Sequence, residues 1–457
     1  MEQTYNKKHI NKEIIFLMLP TILENVLQLL AGVVTTAMVG RLMADDISAQ
    51  GISNRLYQTF FALFRGLGMG ATVIVALYYG KRELARCRRI VEQAYLTAIP
   101  IIALAVFVIL VFPEQILSIF SSDKALINTA VSYSRISVWA IPFMATICFN
   151  TAAFNGQGNT KVPMFIAIVL NIVNVIVGYI FIFGVGSVGG WGITGAAVAT
   201  VVSQSVGASI GLFLLYRKRG YFDISPHGEK FFSLDKYEIK NFFATGTPAA
   251  MEHMFWQFSA IVMSKVLLGY GSNVYAAYQL GLQAEMLTEM PAQGFVVAST
   301  TLSARAIGQR DSALYKSYFA QLIKMAFVIA IFAAAALFIF PHQFMQLLTN
   351  KPDLQEIGAG YVFLMGFAQI PQVTSKVYNG LIRSSGGKRV PMYISFTGIW
   401  IIRVPLVILF GWVLKLDIRL IWITIAIDNI MRMCLSIIYM KRKDTYNYVE
   451  NMNKDAA

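Results

Sequence analysis

Twelve long apolar stretches constrain this chain more than any other feature. A bilayer core about 30 Å thick needs roughly 20 consecutive apolar residues in a helix. Only 14% of the 457 residues are charged and 56% are hydrophobic, whereas a soluble domain has about 25% charged residues. The sequence therefore predicts an all-α integral membrane protein with twelve transmembrane helices. The stretches lie near residues 14–39, 51–79, 92–113, 130–153, 163–184, 192–216, 242–268, 276–301, 318–341, 357–381, 391–412 and 416–440.

The lysine and arginine residues are concentrated in alternate loops, and cytoplasmic loops carry such an excess. We therefore expect both termini to be cytoplasmic and the protein to lie in the plasma (cell inner) membrane. The net charge of +14 is divided among many loops, so it predicts no nucleic-acid-binding face. Three cysteines without metal-ligand spacing and four scattered histidines give no metal site and argue against an intramembrane enzyme. No cofactor is expected.

The two halves of the chain repeat each other at an offset of 228 residues. The offset pairs Pro20 with Pro248 and Glu24 with Glu252, and it also pairs Gly66 with Gly294. Because each half has six spans, both halves should have the same orientation, related by an axis along the membrane normal. The sequence therefore predicts two pseudo-symmetric six-helix lobes, with a binding site between them near the bilayer midplane. The predicted domains are residues 1–216, a cytoplasmic linker at 217–241, and residues 242–457.

Glu24 and Glu252 are the main candidates for a coupling site, because a charge at the bilayer centre costs about 2.5–3.5 kcal/mol on insertion scales. Each follows a proline by four residues and lies about ten residues into its predicted span. A proline bends the helix and frees carbonyl oxygens beside the carboxylate. This combination suits the binding of a cation or a proton. The alternative is a structural carboxylate that is paired with an arginine or capped by hydroxyls.

Further polar residues surround these two carboxylates in the predicted helices. Glu285 and Glu289 are four residues apart, so they share a face of the eighth span. Glu285 joins Glu24 and Glu252 as a predicted cation-coupling residue, unless the Glu285 and Glu289 pair binds Arg55 or Arg65. The predicted substrate contacts are Gln28, Trp256, Gln257 and Glu289.

Other charges within the spans favour structural pairing. Asp428 and Arg432 are four residues apart and predict an ion pair within one helix. For Lys376 and Arg403 we expect pairing between helices. The glycines of Gly66-Leu67-Gly68-Met69-Gly70 lie within a span and indicate close helix packing rather than a phosphate loop.

Several motifs, in order over residues 14–440, resemble the multidrug and toxic compound extrusion (MATE) family of secondary transporters. The motifs include GLGMGATVIVALYYGKRE (66–83), MPAQGFVVASTTLSARAIGQRD (290–311), NGQGNTKVPM (155–164), GITGAAVATVVSQ (192–204), TPAAMEHMFWQF (247–258) and LIRSSGGKRVPM (381–392). The resemblance implies a V-shaped cleft between two lobes. It also implies export of organic cations and other amphiphiles in exchange for sodium ions or protons.

The resemblance carries over to some site residues and not to others. Glu252 matches the family's acid in span 7, and Glu285 resembles an acid often found in span 8. Thr35 stands where the family usually has an acid in span 1, and the span-10 acid is replaced near Gln372. The resemblance therefore implies that Glu24 would have to take the place of the missing acid in the N-terminal half.

Two functions from different classes follow from these observations. The first is a multidrug antiporter whose partners are amphiphilic organic cations and the lipid bilayer, with a monomer as the expected state. The alternative is a flippase or exporter of a lipid-linked or polar metabolite on a related fold. Cationic residues such as Arg55, Arg135 and Lys376 would then line the cavity in place of acids.

Overall fold

The computed structural model describes residues 5–39, 44–118, 123–185, 188–217, 221–222 and 233–455. Within these ranges the chain is almost entirely helical, apart from a short antiparallel hairpin of β1 (Gly184–Val185) and β2 (Val188–Gly189). The all-α prediction misses only this hairpin. Most of the predicted linker, at residues 218–220 and 223–232, lies outside the described residues.

Helical segments occupy all twelve predicted stretches, and two of the stretches, 130–153 and 391–412, are each divided between segments. The helices are α1 (Lys7–Val39), α2 (Ala44–Gly80), α3 (Leu84–Val111), α4 (Pro113–Leu117), α5 (Lys124–Ser137), α6 (Ala140–Gly156), α7 (Lys161–Phe183), α8 (Ile193–Tyr216), α9 (Lys236–Leu268), α10 (Ser272–Gly308), α11 (Ser312–Ile339), α12 (Pro341–Leu348), α13 (Pro352–Ser384), α14 (Val390–Phe396), α15 (Val404–Ile408), α16 (Ile418–Arg442) and α17 (Tyr448–Lys454). Two π-helical segments, Thr397–Arg403 and Leu409–Val413, continue α14 and α15.

Eight of these helices are long and apolar enough to cross a membrane, within the described part of the chain. A ninth span is reached if α5 and α6, which are bent by 52° relative to each other, count as one. The remaining predicted spans lie in α9, α10 and α13, which have 33, 37 and 33 residues. These three helices contain most of the candidate charged residues, which lower their hydropathy. The count of twelve spans therefore stays a prediction.

The helix lengths confirm the internal repeat. Helices α1 and α9 both have 33 residues, α2 and α10 both have 37, and α3 and α11 both have 28. The turn after α2 has Arg82 at φ 62°, and the turn after α10 has Arg310 at φ 55°. A left-handed conformation is uncommon for a residue with a side chain, so its recurrence at the 228-residue offset indicates a shared local structure.

The chain divides into two compact units. One consists of Met1–Ile22 and Met251–Ala457, and the other of Leu23–Ala250. The boundaries between the units follow Ile22 and Ala250, which are also 228 residues apart. Ile22 comes two residues after Pro20, and Ala250 comes two residues after Pro248. The predicted lobe boundaries at the 217–241 linker remain a prediction.

Glycines allow α2 and the first half of α9 to pack closely within the Leu23–Ala250 unit. A Cβ atom at Gly66 would overlap the backbone of Ala250, and one at Gly70 would overlap the backbone of Gly246. Two small residues four apart on each helix therefore face each other, which is the small-xxx-small pattern of membrane helices. The predicted packing role of these glycines is confirmed.

Helix α17 and the residues just before it bind to α11, within the unit that includes Met251–Ala457. The Lys316 ammonium lies 2.6 Å from the Glu450 carboxylate of α17, and the Tyr315 hydroxyl donates to the Thr445 carbonyl oxygen at 3.0 Å. Hydrogen bonds from Lys316 and Lys454 lower the pKa of Glu450 to about 2. The carboxylate therefore stays ionised throughout the physiological pH range.

Candidate functional site

The Glu252 carboxylate is held by side chains from two other elements of its unit. The Arg383 guanidinium of α13 donates to it at 2.6 Å, and the Asn379 amide donates at 3.4 Å. The Ser395 hydroxyl of α14 donates at 3.2 Å. The Glu252 side chain keeps 21% of its surface exposed, whereas Arg383 is only 3% exposed. These contacts are those of the alternative given above, a carboxylate that is paired with an arginine and capped by a hydroxyl, although part of the Glu252 side chain remains exposed.

Asp428 of α16 is the centre of a second, fully buried group of charges. One of its oxygens lies 2.5 Å from the Arg403 guanidinium, and the other lies 3.0 Å from that of Arg432. The predicted Asp428 and Arg432 pair therefore forms, and Arg403 joins it. A Cβ atom at Gly398 would overlap the Asp428 carboxylate, so this glycine leaves the space that the carboxylate occupies. Arg403 is the last residue of the π-helical segment, a conformation that is frequent at functional sites.

Glu289 and Glu285 of α10 have different partners. Glu289 forms an ion pair with Lys376 of α13 and accepts a hydrogen bond from Gln293 at 3.3 Å. Glu285 is buried and accepts a hydrogen bond from the Tyr361 hydroxyl at 2.6 Å. Within this unit α13 packs along α10 and supplies a partner for each acid, Lys376 and Tyr361, where the sequence suggested Arg55 or Arg65. The expected pairing of Lys376 and Arg403 between helical segments is confirmed.

These side chains form one acid–base cluster. Its members are Glu252, Glu285, Glu289, Asp428, Lys376, Arg383, Arg403 and Arg432. Arg432 interacts electrostatically with Glu252, and Arg403 and Lys376 interact with Glu285. The cluster has four acids and four bases, so it is neutral when every member is ionised. Because opposite charges in a low-dielectric environment stabilise each other, helices α9, α10, α13 and α16 and the π-helical segment Thr397–Arg403 can together hold these eight ionisable side chains.

Trp256 lies beside the acid–base cluster, one helical turn after Glu252. The Arg403 guanidinium is 5.4 Å from the centre of its ring, within the range of a cation–π contact. The Trp256 side chain is still 40% exposed. Its neighbour Gln257 is partly buried and takes no part in the cluster within the described residues.

Glu24 has a different environment in the Leu23–Ala250 unit. Gln28 approaches it at 3.5 Å, and Arg65 interacts with it electrostatically while donating to Asn25 at 3.4 Å. Gln28 is exposed. The structure therefore places the predicted neighbours Glu24 and Gln28 together, with a cation nearby.

Thr35 belongs to a neutral polar chain in the same unit. Its hydroxyl donates to the Asn174 side chain at 2.9 Å, and Asn174 donates to Ser203 at 3.2 Å. None of these three groups carries a charge. The position that resembles the family's span-1 acid therefore has hydrogen-bonding groups and no carboxylate of its own.

The Leu23–Ala250 unit also contains an apolar cavity of about 700 Å³ between α3, α6 and α8. Its lining includes Ile99, Phe107, Trp139 and Leu212, and it has no charged residue. The cavity has no carboxylate that could form an ion pair with a cationic ligand. We therefore place the candidate site at the acid–base cluster. The described residues contain no group of His, Cys, Asp and Glu suited to a metal ion.

Sequence reasoning missed four members of the site's surroundings: Arg383, Asn379, Ser395 and Tyr361. Asn379 and Arg383 are four residues apart and therefore share a helix face, which was a usable signal. Tyr361 aligns with Tyr133 at the repeat offset, which gives no indication of its contact with Glu285. Ser395 gave no signal, because a serine in an apolar helix is common.

The comparisons with known proteins agree with this architecture. The family model MatE matches residues 20–180 and 248–409. A probable multidrug resistance protein NorM from Thermotoga maritima is 29% identical, covering 94% of this chain and 92% of the relative. A probable multidrug resistance protein YoeA from Bacillus subtilis is 25% identical, covering 92% and 91%.

Solved structures share the fold at lower sequence identity. One is described as a MOP superfamily transporter from Pyrococcus furiosus with reverse polarity of the binding pocket. It has a TM-score of 0.87 and 19% identity, and covers 98% of this chain and 99% of its own. A MATE structure in complex with MaL6 has a TM-score of 0.87 and 19% identity, with 97% coverage of both chains. The multi-pass membrane architecture is therefore shared across the whole chain.

Proposed function

Because the chain belongs to the MatE family of multidrug transporters and not to an enzyme family, we propose that it exports amphiphilic organic cations by antiport with sodium ions or protons. Its relatives are named as multidrug resistance proteins. We further propose twelve spans in two lobes, cytoplasmic termini, a location in the plasma membrane and a monomeric state.

One observation carries the proposal: the Glu252 carboxylate lies in the middle of a helix, is partly exposed, and is held by hydrogen bonds and an ion pair. Ionisable residues within membrane helices mark ion and substrate pathways. A sodium ion or a proton neutralises a carboxylate, and an organic cation can bind only to the ionised form. Competition for Glu252 thus couples entry of the ion to release of the substrate.

The other acids have supporting roles in this proposal. Glu285 is the acid of the cluster whose closest partner is the neutral Tyr361 hydroxyl, so it is the second coupling residue in this unit. Glu24 fulfils the same role in the other unit. Glu289, Gln28, Trp256 and Gln257 contact the substrate, with the exposed Trp256 ring providing an apolar surface.

The flippase alternative receives less support. It requires cationic side chains that are available to an anionic group. Of the three cations named for this alternative, Lys376 is paired with Glu289, whereas Arg55 and Arg135 are exposed in the other unit. At the acid–base cluster itself, an anionic headgroup would have to compete with the carboxylates that Lys376, Arg383 and Arg403 already contact.

Gradient-driven transport in liposomes tests the proposed function. Wild-type protein is reconstituted, and accumulation of ethidium is measured under a sodium gradient or a proton gradient imposed separately. For one-for-one exchange, a tenfold ion gradient should support about a tenfold accumulation of ethidium, and the effective gradient identifies the coupling ion. Protein-free liposomes are the control. No transport of any organic cation under either gradient would contradict the proposal.

A further inference from the structure

Three predicted cation-binding groups in the Met251–Ala457 segment already contact a cation of the chain. Arg383 binds Glu252, Lys376 binds Glu289, and Arg403 lies over the Trp256 ring. The three cationic side chains come from α13 and from the π-helical segment Thr397–Arg403. The three side chains that they contact are on α9 and α10. The two carboxylates and the aromatic ring on α9 and α10 that could bind a cationic substrate therefore already contact cationic side chains from neighbouring segments.

We infer that Arg383 is a tethered competitor that occupies the cation position at Glu252 and sets the affinity for the transported cation. This inference rests on the proposed function of Glu252 as the exchange site. An incoming cation that binds this carboxylate must displace the guanidinium or share the carboxylate with it. Arg383 is therefore a specificity-determining residue for this transporter.

The competitor is buried, whereas the carboxylate that it contacts is partly exposed. Arg383 is almost completely buried, and its 2.6 Å contact is the shortest of the three contacts that hold Glu252. The Glu252 side chain keeps 21% of its surface exposed in the presence of this contact. A ligand that binds Glu252 therefore meets a carboxylate whose ion pair with Arg383 is already formed.

The charge balance supports the same conclusion. The acid–base cluster has four acids and four bases, so a bound monovalent cation leaves it with one excess positive charge. Like charges at close range repel each other strongly where water is scarce. Arg383 is the base that directly contacts the Glu252 carboxylate, so removing its charge should remove the repulsion nearest to a cation bound there.

The test measures the Kd of purified protein in nanodiscs for ethidium. Arg383→Gln and Arg383→Met remove the charge, whereas Arg383→Lys keeps it. We expect both neutral variants to bind ethidium roughly tenfold more tightly than the wild type, because an adjacent opposite charge typically changes carboxylate equilibria by a factor of ten or more. The Kd of Arg383→Lys should stay within about twofold of the wild-type value.

Lys316→Gln is the matched control, because it removes a paired positive charge from the same unit but away from the acid–base cluster. A tenfold gain in this variant as well would show that total charge sets the affinity, and it would overturn the inference. An unchanged or weaker affinity in folded Arg383→Gln would overturn it too. If neither neutral variant folds, Arg383 is a fixed structural partner and the inference fails.

The failure of the inference differs from that of the proposed function. If Glu252→Gln binds and transports ethidium like the wild type, Glu252 is not the exchange site and the proposed function fails at this residue. If Glu252→Gln loses binding while the neutral Arg383 variants show no gain, only the tethered-competitor inference fails.

Discussion

The Glu252→Gln variant should lose ion-driven accumulation of ethidium, from about tenfold under a tenfold gradient to the level of protein-free liposomes. Glutamine has nearly the same size and can keep hydrogen bonds with Asn379 and Ser395. Its neutral amide, however, cannot exchange a proton or a sodium ion for an organic cation. The loss should concern coupling, and the double variant described below also removes the buried Arg383 charge that contacts this carboxylate. Ethidium uptake into liposomes under the effective gradient measures it.

Two controls separate coupling from stability in this experiment. Glu356→Gln changes an exposed acid near the start of α13 and should transport like the wild type. The double variant Glu252→Gln and Arg383→Gln restores the charge balance that the single substitution disturbs, and it should also remain inactive. Full transport by either Glu252 variant would show that coupling takes place elsewhere.

The Asp428→Asn variant should fold poorly, with a loss of about 3–5 kcal/mol in stability. Asp428 is completely buried and balances both Arg403 and Arg432. Without its charge, two buried guanidinium groups remain uncompensated and repel each other. Thermal unfolding of the purified protein, followed by size-exclusion chromatography with fluorescence detection, measures the change.

Glu450→Gln is the matched control for Asp428→Asn. It also removes an acid that contacts two cations, Lys316 and Lys454, but this acid is exposed to water. Surface ion pairs contribute little to stability, so this variant should unfold close to the wild-type temperature. An Asp428→Asn variant that unfolds at the same temperature as Glu450→Gln would contradict the structural role of the buried cluster.

The internal repeat made much of the fold predictable. It depends on prolines, glycines and turns, whose backbone requirements are local and visible in sequence. Pairs four residues apart in one helix, such as Asp428 and Arg432, were predictable for the same reason. The glycines at 66 and 70 indicated their packing role because small residues four apart let membrane helices approach closely.

Contacts between distant helices were harder to predict. Lys376 binds Glu289, which is 87 residues away, and Arg383 binds Glu252, which is 131 residues away. Such pairs depend on which helices are neighbours and on the rotation of each helix about its axis. A single sequence does not contain this information, and Arg55 and Arg65 were equally reasonable partners for Glu289. The π-helical turn that carries Arg403 also gave no sequence signal.

Release of the coupling ion on substrate binding tests the central claim most directly. Ethidium is added to purified protein in a weakly buffered solution, and the free proton and sodium concentrations are recorded. We expect about one coupling ion to be released per bound ethidium in the wild type, and none in Glu252→Gln. Saturable ethidium binding to the wild-type protein without release of either ion would contradict exchange at Glu252.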